Sequence, residues 1–295
     1  MRQSTNKLLL VKPQRFFANP QTKETNRYQK HNHSEDVTSL MNEEFDAMRD
    51  LLIANGLSIR TYEGPTGSPD AIFPNNIFST HQNGKAFLYP MLAKNRDAEI
   101  TDKLIEVIKE NNNEIIDYRS FRESGLFLEG TGSMVLDRIN KIAYAAISPR
   151  TNRELLKMWA DGMRYKLIEF SAHDEGQLIY HTNIIMFVGT DLSAICLEAI
   201  FESERTIVEK NLKRAHSEII DITLHQMKNM CGNVLELIND KNDKLLIMSD
   251  RAYKNYTSEQ LDVFKQYYSK ILHPDISTIE EYGGGSARCM IAELF

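Results

Sequence analysis

Three cysteines, Cys196, Cys231 and Cys289, are too few and too scattered in 295 residues for a disulfide framework or a structural zinc site. A reducing compartment is the expectation. Long apolar runs are missing as well. Leu8–Val11 is too short for a signal-peptide core, and no other stretch approaches a membrane span. The expected setting is therefore cytoplasmic and away from membranes. Positive charge is not in excess either: 35 Lys and Arg against 41 Asp and Glu give a net charge of −6. That balance argues against a nucleic-acid protein working through a basic face, though it leaves room for a local basic pocket for a carboxylate. Linkers rich in Pro, Gly or Ser and low-complexity tracts are absent, so 1–295 reads as one compact domain, with its oligomeric state open.

What is present is an alternation of strand-like and helix-like segments. Strand patterns fall at Leu8–Val11, Leu57–Tyr62, Ala86–Tyr89, Glu114–Asp117, Ser133–Asp137, Lys141–Ala146, Lys166–Ala172, Thr182–Val188, Ala194–Leu197, Ile219–Ile222, Val234–Ile238, Lys244–Ser249 and Cys289–Leu294. Helical spacing covers 39–55, 98–111, Arg153–Tyr165, Ser203–Ala215, Leu224–Met230 and Ser258–Tyr268. In the first helix Leu40, Phe45, Met48, Leu51 and Leu52 share a side, and Asn55-Gly56 supplies a stop. A unit of helix, strand and strand pair recurs roughly every 50–60 residues, without a visible residue-level repeat. Residues 20–36 are polar and unpatterned. They read as a loop, either a solvated surface segment or a cover over a site.

Five short segments hold residues suited to chemistry. Gly283-Gly284-Gly285-Ser286-Ala287-Arg288-Cys289 sets a thiol at the end of a loop whose glycines permit close backbone approach. Arg288 beside Cys289 would favour the nucleophilic thiolate; a turn followed by a buried strand cysteine is the plainer alternative. Asp70, Phe73, Asn75 and Asn76 fall within seven residues, able to cradle a planar hydrogen-bonding group or to form an ordinary Asx turn. Glu129 lies between apolar residues and Gly130-Thr131-Gly132, either desolvated for a purpose or paired structurally. Arg150, between a strand and a helix, suits a substrate carboxylate or an acid of the fold. His181 opens an apolar strand with Asn183 beside it. A cysteine, a histidine and an acid make an activated thiol when they meet: the acid orients the imidazole, which handles the proton.

Taken in order, the segments Pro69–Asn76, Leu128–Ser133, Ser148–Asn152, His181–Asn183 and Gly283–Met290 resemble the guanidine-modifying enzymes of the pentein fold. These include arginine deiminases, dimethylarginine dimethylaminohydrolases and amidinotransferases. The chain is most similar to the arginine-deiminase-related, citrulline-utilisation-type hydrolases, from Val11 to Cys289. The resemblance implies an α/β fold, a five-bladed propeller of ββαβ-type units about a pseudo-fivefold axis, with the site in its centre. It implies Cys289 as nucleophile, His181 as proton carrier and Glu129 as the acid orienting it. Asp70 would bind the guanidinium, with Phe73 on its planar face. Asn75, Asn76, Arg150, Asn183 and Arg288 complete the expected substrate set. No cofactor or metal is implied, and the partner is a small guanidino or ureido molecule.

The chain departs from the family pattern in three places. Asn76 stands where relatives often carry a carboxylate, Asn183 where deiminases have Asp, and Glu129-Gly130-Thr131-Gly132 replaces Glu-Gly-Gly-Asp. Amides carry no charge and donate as well as accept, so the expected substrate is a ureido, N-substituted or less basic guanidino compound. An amidinotransferase with the same Cys-His-Glu set is the alternative, and a non-catalytic pentein binding protein is a third. Cys196 and Cys231, in apolar settings, read as structural.

Overall fold

The computed structural model describes residues 1–22, 25–29, 36–110 and 112–295. The fold is mixed α/β. Its main body is five three-stranded sheets with one plan: an antiparallel pair of strands, then a third strand parallel to the middle one. Phe78–Thr80, Lys85–Leu88 and Glu114–Asp117 form one sheet. Val135–Asp137, Ile142–Ala146 and Lys166–Phe170 form the next. Met186–Val188, Leu192–Ile195 and Glu218–Asp221 follow, then Leu235–Ile238, Lys244–Ile247 and Lys270–Leu272. The fifth sheet joins the two ends of the chain: Ala292–Glu293 runs antiparallel to Lys7–Lys12, which is parallel to Ser58–Glu63.

Each parallel step needs a crossover, and helices supply it. Asp102–Lys109, Arg153–Met163, Glu202–Ala215, Ser258–Tyr267 and Thr38–Ala54 lie between the second and third strands of their units. Their starts are partly written in side chains. Asn152 caps Arg153–Met163 through Glu154 and Leu155 N–H, and Thr257 and Gln260 form a reciprocal capping box. In Thr38–Ala54 the buried stripe is Met41, Phe45, Met48 and Leu52. Leu40, expected on that side, is 54% exposed, because the stripe that meets the core is centred one residue further on.

Several expected boundaries move. Cys289 does not begin a strand; it sits in a turn, and only Ala292–Glu293 is extended. Thr182–Ile184 is a 3₁₀ turn, so that strand starts at Met186. The helix expected over 98–111 is shorter, preceded by a 3₁₀ turn at Lys94–Glu99. Phe78–Thr80, Lys270–Leu272 and helix Ser277–Gly283 escape the apolar pattern because each is short. Of the 20–36 loop, residues 23, 24 and 30–35 lie outside the described residues. No helix among the described residues is long and apolar enough to cross a membrane.

One regularity positions the site. The first strand of each sheet is preceded by a short turn. Four of these turns present a comparable residue ahead of an apolar pair: Asn76-Ile77-Phe78, Asn183-Ile184-Ile185, Asn233-Val234-Leu235 and Cys289-Met290-Ile291. The turn of the remaining sheet is Gly130–Ser133, just after Glu129.

Candidate active site

A small cavity is bordered by Cys289, His181, Asp70, Asn76, Arg96 and Arg150, with Phe73, Tyr180, Asn26 and Gly283–Gly285. Cys289 reaches it on the glycine loop. Helix Ser277–Gly283 ends there, and Gly284 caps it in the left-handed region at φ 67°. Side chains would not fit on this loop. A Cβ at Gly283 would stand 2.6 Å from the Phe73 ring, and one at Gly285 2.8 Å from it. Phe73 thus packs its ring against the loop that carries the thiol.

His181 and Glu129 are directly bonded: Nε2 lies 2.8 Å from Glu129 Oε2. The other carboxylate oxygen accepts from Leu92 N–H at 3.0 Å, and Arg150 stands 3.4 Å from Oε2. Burial by itself pushes the Glu129 carboxyl up. The Arg150 guanidinium, the His181 hydrogen bond and Arg96 overcome it and hold the group at about 2. Glu129 is therefore an anion and only accepts, so His181 carries a proton on Nε2 and leaves Nδ1 as the lone pair. Burial keeps the imidazole below its usual range, with Arg150 and Arg96 acting in the same sense against the opposing pull of Glu129.

Asp70 is buried, and burial raises its carboxyl above the ordinary value against the pull of Arg96, Asn19 and Arg150. Its Oδ2 accepts from Asn19 at 2.7 Å, while Oδ1 has no partner among the described residues. Asn76 accepts from Arg96 through Oδ1 at 3.1 Å, and its Nδ2 is likewise unpartnered. Arg150 lies over the Tyr180 ring with its carbon 4.5 Å from the centroid, bonds Thr25, and has a buried, unpartnered Nε.

Three expected substrate residues lie outside this cavity. Asn75 borders a different hollow with Ser79, Arg138 and Glu293. Its neighbour Asn76 takes the cavity position because the tight 3₁₀ turn Pro74–Asn76 points successive side chains apart. Arg288 sends its guanidinium to Thr131, Ile291 and Glu293 instead of toward the cavity. Asn183 contacts the sulfur itself, with Nδ2 3.5 Å from Cys289 Sγ.

Three residues absent from the sequence expectation belong to the surroundings. Arg96 pairs with buried Glu99 at 2.8 Å and bonds the Asp70 and Phe73 carbonyls, fixing that turn. Asn26 bonds Gly283 O at 3.1 Å and accepts from Tyr180 OH at 2.9 Å, so part of the 20–36 loop is a cover and not a solvated segment. Asn233 contacts Cys289 Sγ at 3.2 Å. Its signal was the recurring Asn and apolar pair, which becomes visible only once the strands are aligned. Cys196 and Cys231 are buried, and burial pushes both thiols up to about 12. Among the described residues no three His, Cys, Asp or Glu side chains gather to hold a metal.

With that geometry in view, the matches to known proteins are specific. A family model described as N,N dimethylarginine dimethylhydrolase, eukaryotic, matches residues 12–295. The protein belongs to that family, within the pentein guanidino-modifying superfamily. No curated protein matches its sequence. Among solved structures, the N-terminal domain of ArgZ, an arginine dihydrolase from the ornithine–ammonia cycle in cyanobacteria, is similar in a substrate-bound mutant form. Its TM-score is 0.78 at 15% identity, over 98% of this chain and 97% of that one. AgrE, in a mutant complex with L-arginine, gives 0.79 at 15% identity, over 98% of this chain and 40% of that one. The enzyme DDAH from Pseudomonas aeruginosa, a mutant complexed with citrulline, gives 0.69 at 13% identity, over 97% and 98%. At such identities the structural likeness establishes a shared fold.

Proposed function

We propose that this protein is a cysteine-dependent hydrolase that breaks a C–N bond in the guanidino, amidine or ureido group of an arginine-like small molecule. The supporting observation is the meeting of Cys289 and His181 at one cavity, with Glu129 hydrogen-bonded to the histidine. The family description, and neighbours holding arginine or citrulline, support the substrate class. In this reading the sulfur adds to the planar carbon. Its proton passes to His181 and on to the departing nitrogen, which leaves as ammonia or a small amine. Water then adds to the sulfur-linked intermediate, its proton returns through His181, and the C–S bond breaks. Glu129 holds the imidazole and offsets its charge as it forms. The scheme uses no metal or organic cofactor.

Asp70 and Asn76 support a finer reading. One brings an unpartnered acceptor and the other an unpartnered donor to the cavity lining. The donor assignment of Asn76 follows from Arg96, which only donates and so fixes the oxygen. A ureido group both gives and takes hydrogen bonds, whereas a guanidinium only gives. The substrate is then a ureido or weakly basic, N-substituted guanidino compound, not free arginine. Arg150 Nε suits its carboxylate. In the same reading the five sheets are blades of a pentein propeller about a pseudo-fivefold axis. The chain over 1–295 forms one catalytic domain, working in the cytoplasm.

Purified protein incubated with a panel of guanidino and ureido compounds, without an acceptor amine, tests this through released ammonia or amine. Turnover of a ureido compound well above arginine, lost in Cys289→Ala, is expected. Arginine turned over as fast as the best substrate removes the finer reading. Release that requires an added amine replaces hydrolysis with amidino transfer.

A further inference from the structure

The turn Met230–Asn233, which the sequence offers only as the surroundings of a structural cysteine, reaches the sulfur of Cys289. We propose that Asn233 is the positioning residue of the nucleophile: it fixes the Cys289 sulfur against the His181 turn and supplies an N–H donor to the charge the sulfur carries. This rests on the proposed function only in taking Cys289 as the nucleophile.

The Asn233 carboxamide is buried and fully engaged. Its Oδ1 accepts from Arg288 N–H at 3.1 Å. Its Nδ2 donates to the Asn183 carbonyl at 3.1 Å and to Cys289 Sγ at 3.2 Å. A backbone N–H can only donate and a carbonyl can only accept, so these two partners fix which end of the carboxamide is which. The nearer group to the sulfur is therefore N–H, at 3.2 Å, while Oδ1, at 3.6 Å, can accept from the neutral thiol. The two backbone bonds also tie the residue before Cys289 to the turn two residues after His181. Nucleophile and proton carrier, more than 100 residues apart, are thus held to one side chain.

The backbone around Asn233 is shaped for this approach. A Cβ at Gly232 would stand 2.1 Å from the Ile184 carbonyl oxygen, so only glycine lets the two turns come this close. Met230, at φ 66°, is the left-handed cap of helix Leu224–Lys228, with its N–H on Met227 O and the Cys231 N–H on Gln226 O, and it turns the chain toward Gly232 and Asn233. Asn183 Nδ2, at 3.5 Å, completes a pair of carboxamides on the sulfur. N–H donors stabilise an anionic acceptor more than a neutral one.

Alkylation of Cys289 by iodoacetamide, a neutral probe, reads this directly when modified peptides are resolved from those of Cys196 and Cys231. Asn233→Asp keeps the shape and the oxygen that accepts from Arg288, but turns an oxygen toward the sulfur. Its Cys289 is expected to react about tenfold more slowly near neutral pH. Its rate should also keep climbing at pH values where the wild type has levelled off, with a lowered melting temperature, because the Asp oxygen also loses the bond to the Asn183 carbonyl. Should the Asp variant fail to fold, Asn233→Ser, whose hydroxyl cannot span to the sulfur, reads the same loss. A folded variant that reacts at the wild-type rate, with the same pH profile, overturns the assignment and leaves the proposed function standing. A wild-type Cys289 no faster than Cys196 and Cys231 overturns both, and is seen before any variant is made.

Discussion

His181 Nε2 donates to Glu129 Oε2 at 2.8 Å, while Arg150 stands 3.4 Å from the same oxygen. The carboxylate is thus shared between an imidazole it orients and a guanidinium that keeps it ionised. Glu129→Gln preserves the shape but lets the amide present N–H to His181, which favours the wrong tautomer. Activity should fall by about a hundredfold to a thousandfold, in kcat more than in KM, as steady-state kinetics on the best panel substrate will read.

Asn76→Asp restores a carboxylate at the cavity beside Asp70. If the unpartnered amide donor selects a ureido group, this change should favour guanidinium substrates. The ratio of kcat/KM for guanidino over ureido compounds is expected to rise about tenfold or more. An unchanged ratio would mean that Asn76 does not read the reacting group.

Gly132 is the third prediction. A Cβ there would fall 2.3 Å from Asn76 Nδ2 and 2.8 Å from His181 Nδ1. Gly132→Ala must therefore displace the imidazole, the amide or both. Activity should be lost while the protein still folds, with a stability cost of about 1–3 kcal/mol. Paired denaturant melts and rate measurements separate the two effects.

Stability should depend on pH in two windows. Burial lowers His181, and it lowers His81 and His216 in the same sense. At these three sites the unfolded chain binds more protons than the folded one below about 6.5, so their contribution to stability falls as pH drops through that value. The expected slope is at most about 1.4 kcal/mol per pH unit for each histidine. Glu129 acts lower. Held at about 2 against an ordinary 4.5, it adds stability that is complete above 4.5 and lost as pH falls toward 2. Denaturant unfolding from pH 7 to 5 should show the first window, with a shallower slope in His181→Gln. Glu99, pushed by burial up to about 7, acts in the opposite sense in this window, so the difference between wild type and His181→Gln carries the prediction; identical profiles contradict it.

Much of the layout is legible in the linear sequence, because burial leaves periodic apolar marks. Phe45, Met48 and Leu52 of the first helix and the strand Ile142–Ala146 announce themselves this way, whereas Met41 takes the buried place expected of Leu40. That Cys289, His181 and Glu129 share a site is an expectation from the family resemblance alone, because their spacing is far too long for local structure to show it. What escapes is whatever gains meaning only from a distant partner. Arg96 looks like a solvated charge between Lys94 and Asp97; its burial comes from Glu99, Asn76 and the carbonyls of the Asp70 turn. Arg288 looks like an activator of its neighbour, yet backbone direction turns its guanidinium toward Thr131 and Glu293. Asn233 lies beside a cysteine that does nothing at the cavity, and its own target is 56 residues away.

The sheet shared by Lys7–Lys12 and Ala292–Glu293 sets an order of events as well as a shape. Cys289 is three residues from the strand that finds its place only by pairing with the opening one. All the strands of four of the five sheets precede Cys289 in chain order. In the proposed mechanism, the imidazole and its carboxylate gain a sulfur to act with only when Ala292–Glu293 pairs with Lys7–Lys12.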